Sequence, residues 1–436
     1  MDILISANEE IQQMCRQMSA QSEKTAQRPD IYKKSRFNYV CASPGGVLIY
    51  NTLYNSLTRL TAQEYEQYLC RDSADEGTGL QFFRQGILVE EGTEELGTYG
   101  QYIRLAAEHL QVRPNITVTP TMECNAGCFY CYEAGVRSGR MRTKDAARIV
   151  RAIKTLDCSR GVDLTWFGGE PLMNQEWMDV LSDCLRAEQI EFCAFLISNG
   201  SKIDDAVIAR MRTAWNVRSV QITLDGCFEE HARRKAYIDQ DDTVYYRTLR
   251  QTARLSKAGI LVQFRMNTDR ANAQSILDAV ADIAQLFQKD ERVSCYPAFL
   301  TGTSEPFSER EKIDFVKKMI AVGEGKVRVN EYLYKLPRTV ACYYYQQNAF
   351  SIDAQGNVFC CEHMLGHADR SLGNVREDLD LSRLPREAAP EREACMGCVF
   401  LPKCLGGCAD ALSSGEEPCF IDRYIIQAYL ELLGGV

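Results

Sequence analysis

No stretch of the 436 residues approaches the run of about eighteen uninterrupted apolar side chains that a membrane-spanning helix needs. The opening residues MDILISANEEIQQM have neither the basic start nor the apolar core of a secretory signal, so a cytoplasmic protein with no membrane partner is expected. Positive charge is also short. Fifty Lys and Arg face 59 Asp and Glu, a net charge of −9, which provides no general means of neutralising nucleic-acid phosphates. Nucleic acid is therefore not an expected partner. Histidine is scarce, with four in the whole chain, whereas cysteine is abundant at nineteen. In a reducing compartment clustered cysteines favour metal ligation over disulfides, and the odd total agrees.

A chain of this length is expected to form about two or three domains, each with its own core. Over residues 1–110 the alternating FNYVCAS and GVLIYN flank the turn Ser43-Pro44-Gly45-Gly46 and predict a hairpin. Thr61 is placed to cap the helix LTAQEYEQYL, and GILVEE adds a strand, giving a small α+β module. Over 111–320 the pattern changes. The strand candidates ITVTPT, VDLTWF, FCAFLIS, SVQITLD, LVQFRMN and RVSCYPAF alternate with amphipathic runs of crossover length, which predicts α/β architecture with a parallel sheet, open or curled into a partial barrel. Residues 321–436 end in a cysteine-dense segment, loop-like until the closing helix RYIIQAYLELL.

In a parallel β/α sheet, ligands collect at the C-terminal ends of the strands. The loop after the first strand is CNAGCFYC, with Cys124, Cys128 and Cys131. Zinc sites usually bring four ligands in two pairs, and no histidine lies near this loop. Three thiolates suit a four-iron cluster that keeps one iron free for an exogenous ligand. The next three strands end in Gly168-Gly169-Glu170-Pro171, Ser198-Asn199-Gly200 and Asp225-Gly226, so these motifs share one rim.

The spacing C-x3-C-x-aromatic-C, with Tyr130 as the aromatic, resembles the signature of radical S-adenosylmethionine (SAM) enzymes. The resemblance implies a 4Fe-4S cluster whose unique iron chelates the amino and carboxylate groups of SAM, and a radical formed by reductive cleavage of the sulfonium. It further implies that Tyr130 lines the adenine and that Gly168, Gly169, Glu170 and Pro171 receive the methionine amino group. Ser198, Asn199 and Asp225 would contact the ribose and methionine. The stretch His231-Ala-Arg-Arg-Lys235 resembles the family's HD-x-x-R, with Arg234 or Lys235 as candidate cation for the SAM carboxylate; Arg265 is another.

Downstream, Cys342, Cys361, Cys395, Cys398, Cys404, Cys408 and Cys419 follow spacings that resemble the SPASM domain of radical SAM enzymes acting on peptides, including the wording CLGGC. That resemblance implies two auxiliary 4Fe-4S clusters. Cys395, Cys398, Cys404 and Cys419 would ligate one, and Cys342, Cys361 and Cys408 the other, with Cys360, Cys295 or substrate completing it. Without the upstream motifs these cysteines would read as zinc sites. The N-terminal module resembles a PqqD-like peptide-recognition domain in arrangement. Together these features imply a maturase of a ribosomally made peptide, with a leader sequence on its substrate and an electron donor such as flavodoxin or ferredoxin. The expected product is a thioether or carbon–carbon cross-link. The alternatives are formylglycine formation in a sulfatase and a non-catalytic, metal-stapled peptide binder.

Overall fold

The computed structural model describes residues 1–5, 32–70, 76–109, 113–136, 138–300, 305–329, 342–385, 393–413, 419 and 422–435. The chain divides into two compact units, one comprising Met1–Val112, Glu331–Cys342 and Ala389–Val436, the other Arg113–Asn330 and Tyr343–Ala388. The cysteine-dense segment is therefore shared out between them: Cys361 belongs with the central residues, while Cys342 and the cysteines from Cys395 onward belong with the N-terminal module.

In the first unit, strands β1 (Asp2–Ile5), β3 (Asn38–Ser43), β4 (Gly46–Asn51) and β5 (Ser56–Thr61) form an antiparallel sheet in the order β1-β5-β4-β3. A separate pair joins β2 (Tyr32–Lys34) to β6 (Leu88–Glu90). The predicted hairpin is β3 and β4. Gly45 takes a left-handed φ of +74°, a conformation that costs glycine little. Thr61 caps helix α1 (Ala62–Leu69) in a reciprocal capping box with Glu64, satisfying amide donors that a helix start leaves open. Helices α2 (Glu76–Arg84) and α3 (Glu95–His109) complete the module. The C-terminal helix Asp422–Gly434 packs on β3 so closely that a Cβ on Gly434 would lie 2.3 Å from the Ala42 carbonyl oxygen. Lys403, inside the cysteine-bearing segment, is buried. Its Nζ donates to Asn55 Oδ1 and lies 5.4 Å from the Tyr50 ring, so this segment shares the module's core.

The second unit is built on β7 (Asn115–Thr121), β8 (Val162–Gly168), β9 (Phe192–Ser198), β10 (Val217–Leu224), β11 (Leu261–Thr268) and β12 (Val293–Phe299), all parallel and adjacent in chain order. They are the six predicted strands. The short β13 (Arg328–Val329) extends one edge beside β12. At the other edge β14 (Ala349–Ile352), β15 (Asn357–Phe359) and β16 (Gly373–Asn374) follow β7. The intervening helices are α4 (Thr143–Ile153), α5 (Gln175–Ala187), α6 (Asp205–Thr213), α7 (Phe228–Lys235), α8 (Val244–Lys257) and α9 (Ala273–Leu286), followed by α10 (Glu309–Gly323).

Because each crossover steps one strand further in one direction and crossovers are right-handed, the helices gather on one face and the sheet curls into a partial barrel. Alternation sets what lies on each face. Leu164, Trp166, Ile222, Leu224, Phe264 and Met266 are buried in the core on the helical side. Their neighbours, including Thr165, Gln221, Thr223 and Arg265, face the concave side. Among the described residues no helix is long and apolar enough to cross a membrane.

Candidate functional site

The cysteine loop leaves β7 and is held by the chain that follows α7. There Ala236 adopts a left-handed φ of +46° and turns the backbone under the loop. The Gly127 N–H donates to the Lys235 and Ala236 carbonyls at 2.8 and 3.0 Å, Ile238 donates to the Asn125 carbonyl at 2.9 Å, and Ala126 bridges Tyr237. A further brace comes from the end of β9. Asn199 Nδ2 donates to Asn125 Oδ1 at 3.0 Å and lies 3.9 Å from Cys124 Sγ, while Asn125 donates to Ser201 at 2.9 Å. Cys124, Cys128 and Cys131 are all half-buried.

The turn after β8 packs directly against the approach to this loop. Gly168 has a φ of +119°, and a Cβ there would lie 2.4 Å from the Thr121 carbonyl oxygen. At Gly169 a Cβ would meet the Glu123 and Met122 carbonyl oxygens at 2.3 and 2.4 Å. Both glycines are thus required by backbone contact within the chain. Glu170 is fully buried and accepts hydrogen bonds from Ser198 Oγ at 2.9 Å, Asn199 N at 2.8 Å and Leu172 N at 3.2 Å. Burial pushes its carboxyl above the usual range while these donors pull it down. Glu170 fixes the Ser198-Asn199 turn, and Pro171 starts the short helical turn Pro171–Asn174.

Asp225 is the second centre. It is fully buried, accepts from Tyr130 OH and from Asn267 Nδ2 at 3.0 Å, and pairs with Lys235 Nζ at 3.4 Å. Lys235 also donates to Thr223 Oγ1 at 2.7 Å and to Tyr130 OH at 3.2 Å. Burial works against both charges of this pair. Their mutual attraction prevails, holding the Asp225 carboxyl below and the Lys235 ammonium above their ordinary ranges. His231 accepts from the Asp225 N–H at 3.4 Å and faces Tyr237 OH at 3.3 Å; burial, reinforced by the Lys235 charge, pushes its pKa down to about 3, so the ring is neutral.

Of the three α7 cations, Arg233 is exposed and pairs with Glu230, while Arg234 and Lys235 are buried in different surroundings. Arg234 is buried, pairs with Asp269 at 2.6 Å and lies 4.9 Å from the Phe129 ring. Both lie near the Tyr130 ring, at 5.8 Å for Arg234 and 5.9 Å for Lys235, and Lys235 donates to the Tyr130 hydroxyl. Arg265 is exposed on the concave side of β11.

Cys395, Cys398, Cys404 and Cys419, separated by up to 24 positions in sequence, line one pocket with Phe400, Leu401, Gly406, Gly407 and Arg423. In the other unit Cys360 is buried with its sulfur 3.7 Å from Met364 Sδ, next to Cys361. Cys295 lies in the core on the helical side, where burial pushes its thiol up to about 12. Among the described residues no three His, Cys, Asp or Glu side chains close around a single metal ion. Several of the bracing residues, Ser201, Tyr237 and Asn267, lie outside the motifs, and Asn125 lies inside the cysteine loop without being one of its signature positions.

Residues 118–283 match the model of the Radical SAM superfamily. The barrel is a radical SAM domain. Among solved structures, this chain is similar to a histidine-tagged anSMEcpe with bound AdoMet, at 18% identity and a TM-score of 0.57 over 73% of this chain and 95% of that one. It is also similar to "Native anSMEcpe with bound AdoMet and Cp18Cys peptide", at 16% identity and a TM-score of 0.55 over 74% and 97%. At such identities the likeness is one of fold. Among curated proteins it resembles "Probable GTP 3',8-cyclase" of Methanopyrus kandleri, 30% identical over 93 residues, which is 21% of this chain and 28% of that relative. The match therefore spans less than a third of that relative's length.

Proposed function

We propose that this chain is a radical SAM enzyme that modifies a ribosomally synthesised peptide, joining two of its residues through a thioether or a carbon–carbon bond. The observation that carries this reading is the three-cysteine loop of the radical SAM domain, clasped by the backbone of residues 235–238 and braced by Asn199. Its donor set fits a 4Fe-4S cluster with one open iron, since the loop offers three thiols and no fourth. When bound, cluster and SAM supply reductive sulfonium cleavage and hydrogen-atom abstraction.

The chain's own residues position and enclose. Cys124, Cys128 and Cys131 hold the cluster, and the Gly168–Pro171 backbone receives the SAM amino group. Tyr130, locked by Asp225, Lys235 and Asn267, lines the adenine. Arg234 meets Asp269 at 2.6 Å and Lys235 meets Asp225 at 3.4 Å, so both cations already face a carboxylate, and the looser pair together with its contact to the Tyr130 hydroxyl assigns Lys235 to the SAM carboxylate. Ser198 and Asn199 keep the rim in register through Glu170. The four cysteines that share a pocket, Cys395, Cys398, Cys404 and Cys419, hold an auxiliary cluster. An extended leader peptide would add to a sheet edge of the module in residues 1–110. A flavodoxin or ferredoxin would supply electrons.

The test is anaerobic incubation of the reconstituted protein, SAM and reductant with short peptides encoded by neighbouring reading frames, followed by mass spectrometry. A cross-linked product loses two hydrogens and keeps its sulfur. A cysteine that instead loses sulfur to become formylglycine would remove the cross-link reading and leave the radical SAM reading in place.

A further inference from the structure

We infer that Arg265 is an anchor for a carboxylate of the substrate inside the barrel, an inference that rests on the peptide-modifying reading above and narrows its substrate class. Arg265 sits on the concave side of β11, opposite Thr223 of β10 and Tyr296 of β12 in the strand register. The other two cations near the rim are neutralised in place, Arg234 by Asp269 at 2.6 Å and Lys235 by Asp225 at 3.4 Å. Arg265 has no such partner. Its Nε donates to Asn267 Oδ1 at 3.2 Å, and among the described residues neither terminal nitrogen meets a carboxylate.

A second observation points to the same ligand. Gln221, diagonally across β10 from Arg265, is only 7% exposed, and its Oε1 accepts the Tyr296 hydroxyl at 2.8 Å. That bond fixes the amide so that its two N–H donors are left without a partner among the described residues. A guanidinium fork whose terminal donors meet no carboxylate, on the same sheet face as an amide nitrogen with no acceptor among the described residues, is complementary to a carboxylate, which accepts up to about four hydrogen bonds.

The experiment is equilibrium dialysis of the reconstituted full chain, without reductant, against three small ligands. N-acetylglutamate α-amide carries only a side-chain carboxylate, N-acetylalanine only a terminal one, and N-acetylglutamine α-amide neither. At least one carboxylate ligand is expected to bind saturably and about tenfold or more tightly than the neutral amide, and which one does so identifies the source of the anion. Arg265→Gln is expected to abolish that preference, and Arg265→Lys, which keeps the charge but loses the fork, to retain part of it. Absence of saturable binding, equal binding of the neutral amide, or an unchanged Arg265→Gln profile overturns the inference. So does competitive displacement of the carboxylate by SAM, which would return Arg265 to the cofactor. Because no radical chemistry is involved, a protein that binds carboxylates yet never cleaves SAM would sink the proposed function alone.

Discussion

Replacing Gly169 by alanine tests how tightly the rim is built. The added methyl would sit 2.3 Å from the Glu123 carbonyl oxygen and 2.4 Å from that of Met122, whereas ordinary contact begins at 3.4 Å. Both neighbours are backbone, so no side chain can swing away, and the β8 turn must separate from residues 122–123 by about 1 Å. Overpacking of this kind costs about 1–3 kcal/mol, and contact with main chain on two sides places Gly169→Ala near the upper end. The displaced residues lead directly into Cys124, so a shift of about 1 Å is expected to slow SAM cleavage by roughly 100-fold. Gly135→Ala is the control. It lies just beyond the same cysteine loop, has open space around its Cβ and no left-handed φ, and should change stability by less than about 0.5 kcal/mol. Urea titration of the apoprotein reads the first effect through the midpoint at unchanged slope, and 5′-deoxyadenosine formation by the reconstituted protein reads the second. Wild-type values for Gly169→Ala in both assays would refute the close packing of turn and loop.

Glu170→Gln keeps the size of the side chain but turns one acceptor into a donor facing the Asn199 or Leu172 N–H, at a cost of about 1–3 kcal/mol in urea titration. Asp225→Ala strands Lys235 as a buried unpaired charge and should cost about 3–5 kcal/mol, most of it recovered in the double variant Asp225→Ala/Lys235→Met; a double variant no more stable than the single one would remove the ion pair from the account. His231 has a folded pKa of about 3, below its unfolded value of 6.5, so its contribution to stability is complete above the unfolded pKa and is lost as pH falls toward the folded one. Between neutral pH and about pH 5 the apoprotein should lose about 2 kcal/mol through this group, and His231→Gln should flatten that part of the profile.

The barrel was legible because local pattern determines it. Six β-branched and aromatic runs alternate with amphipathic segments, and that order alone makes the sheet parallel and places CNAGCFYC, GGEP, SNG and DG on one rim. What was not legible is contact between residues far apart in sequence. Tyr130 reaches Asp225 and Asn267 across 95 and 137 positions, and the clasp on the cysteine loop comes from residues 235–238 through backbone atoms that carry no side-chain signature. The glycines of GGEP show the same limit. Their sequence suggests close approach of a ligand, and the structure adds that the space above each is filled by residues 119–123. The SPASM resemblance groups Cys361 with Cys342 and Cys408, and the division of Cys361 from those two between compact units came only from the fold. Arg234 and Lys235 are indistinguishable as a dipeptide; the structure gives them different partners, Asp269 and Asp225.

The most direct test of the central claim is formation of 5′-deoxyadenosine. The wild-type chain and Cys128→Ala are reconstituted anaerobically with iron and sulfide, then given SAM and a strong reductant. The account predicts 5′-deoxyadenosine and a reducible 4Fe-4S signal from the wild type, with cleavage abolished in Cys128→Ala while the cysteines from Cys395 onward still retain iron. A wild-type protein that binds zinc in place of iron and forms no 5′-deoxyadenosine would contradict it.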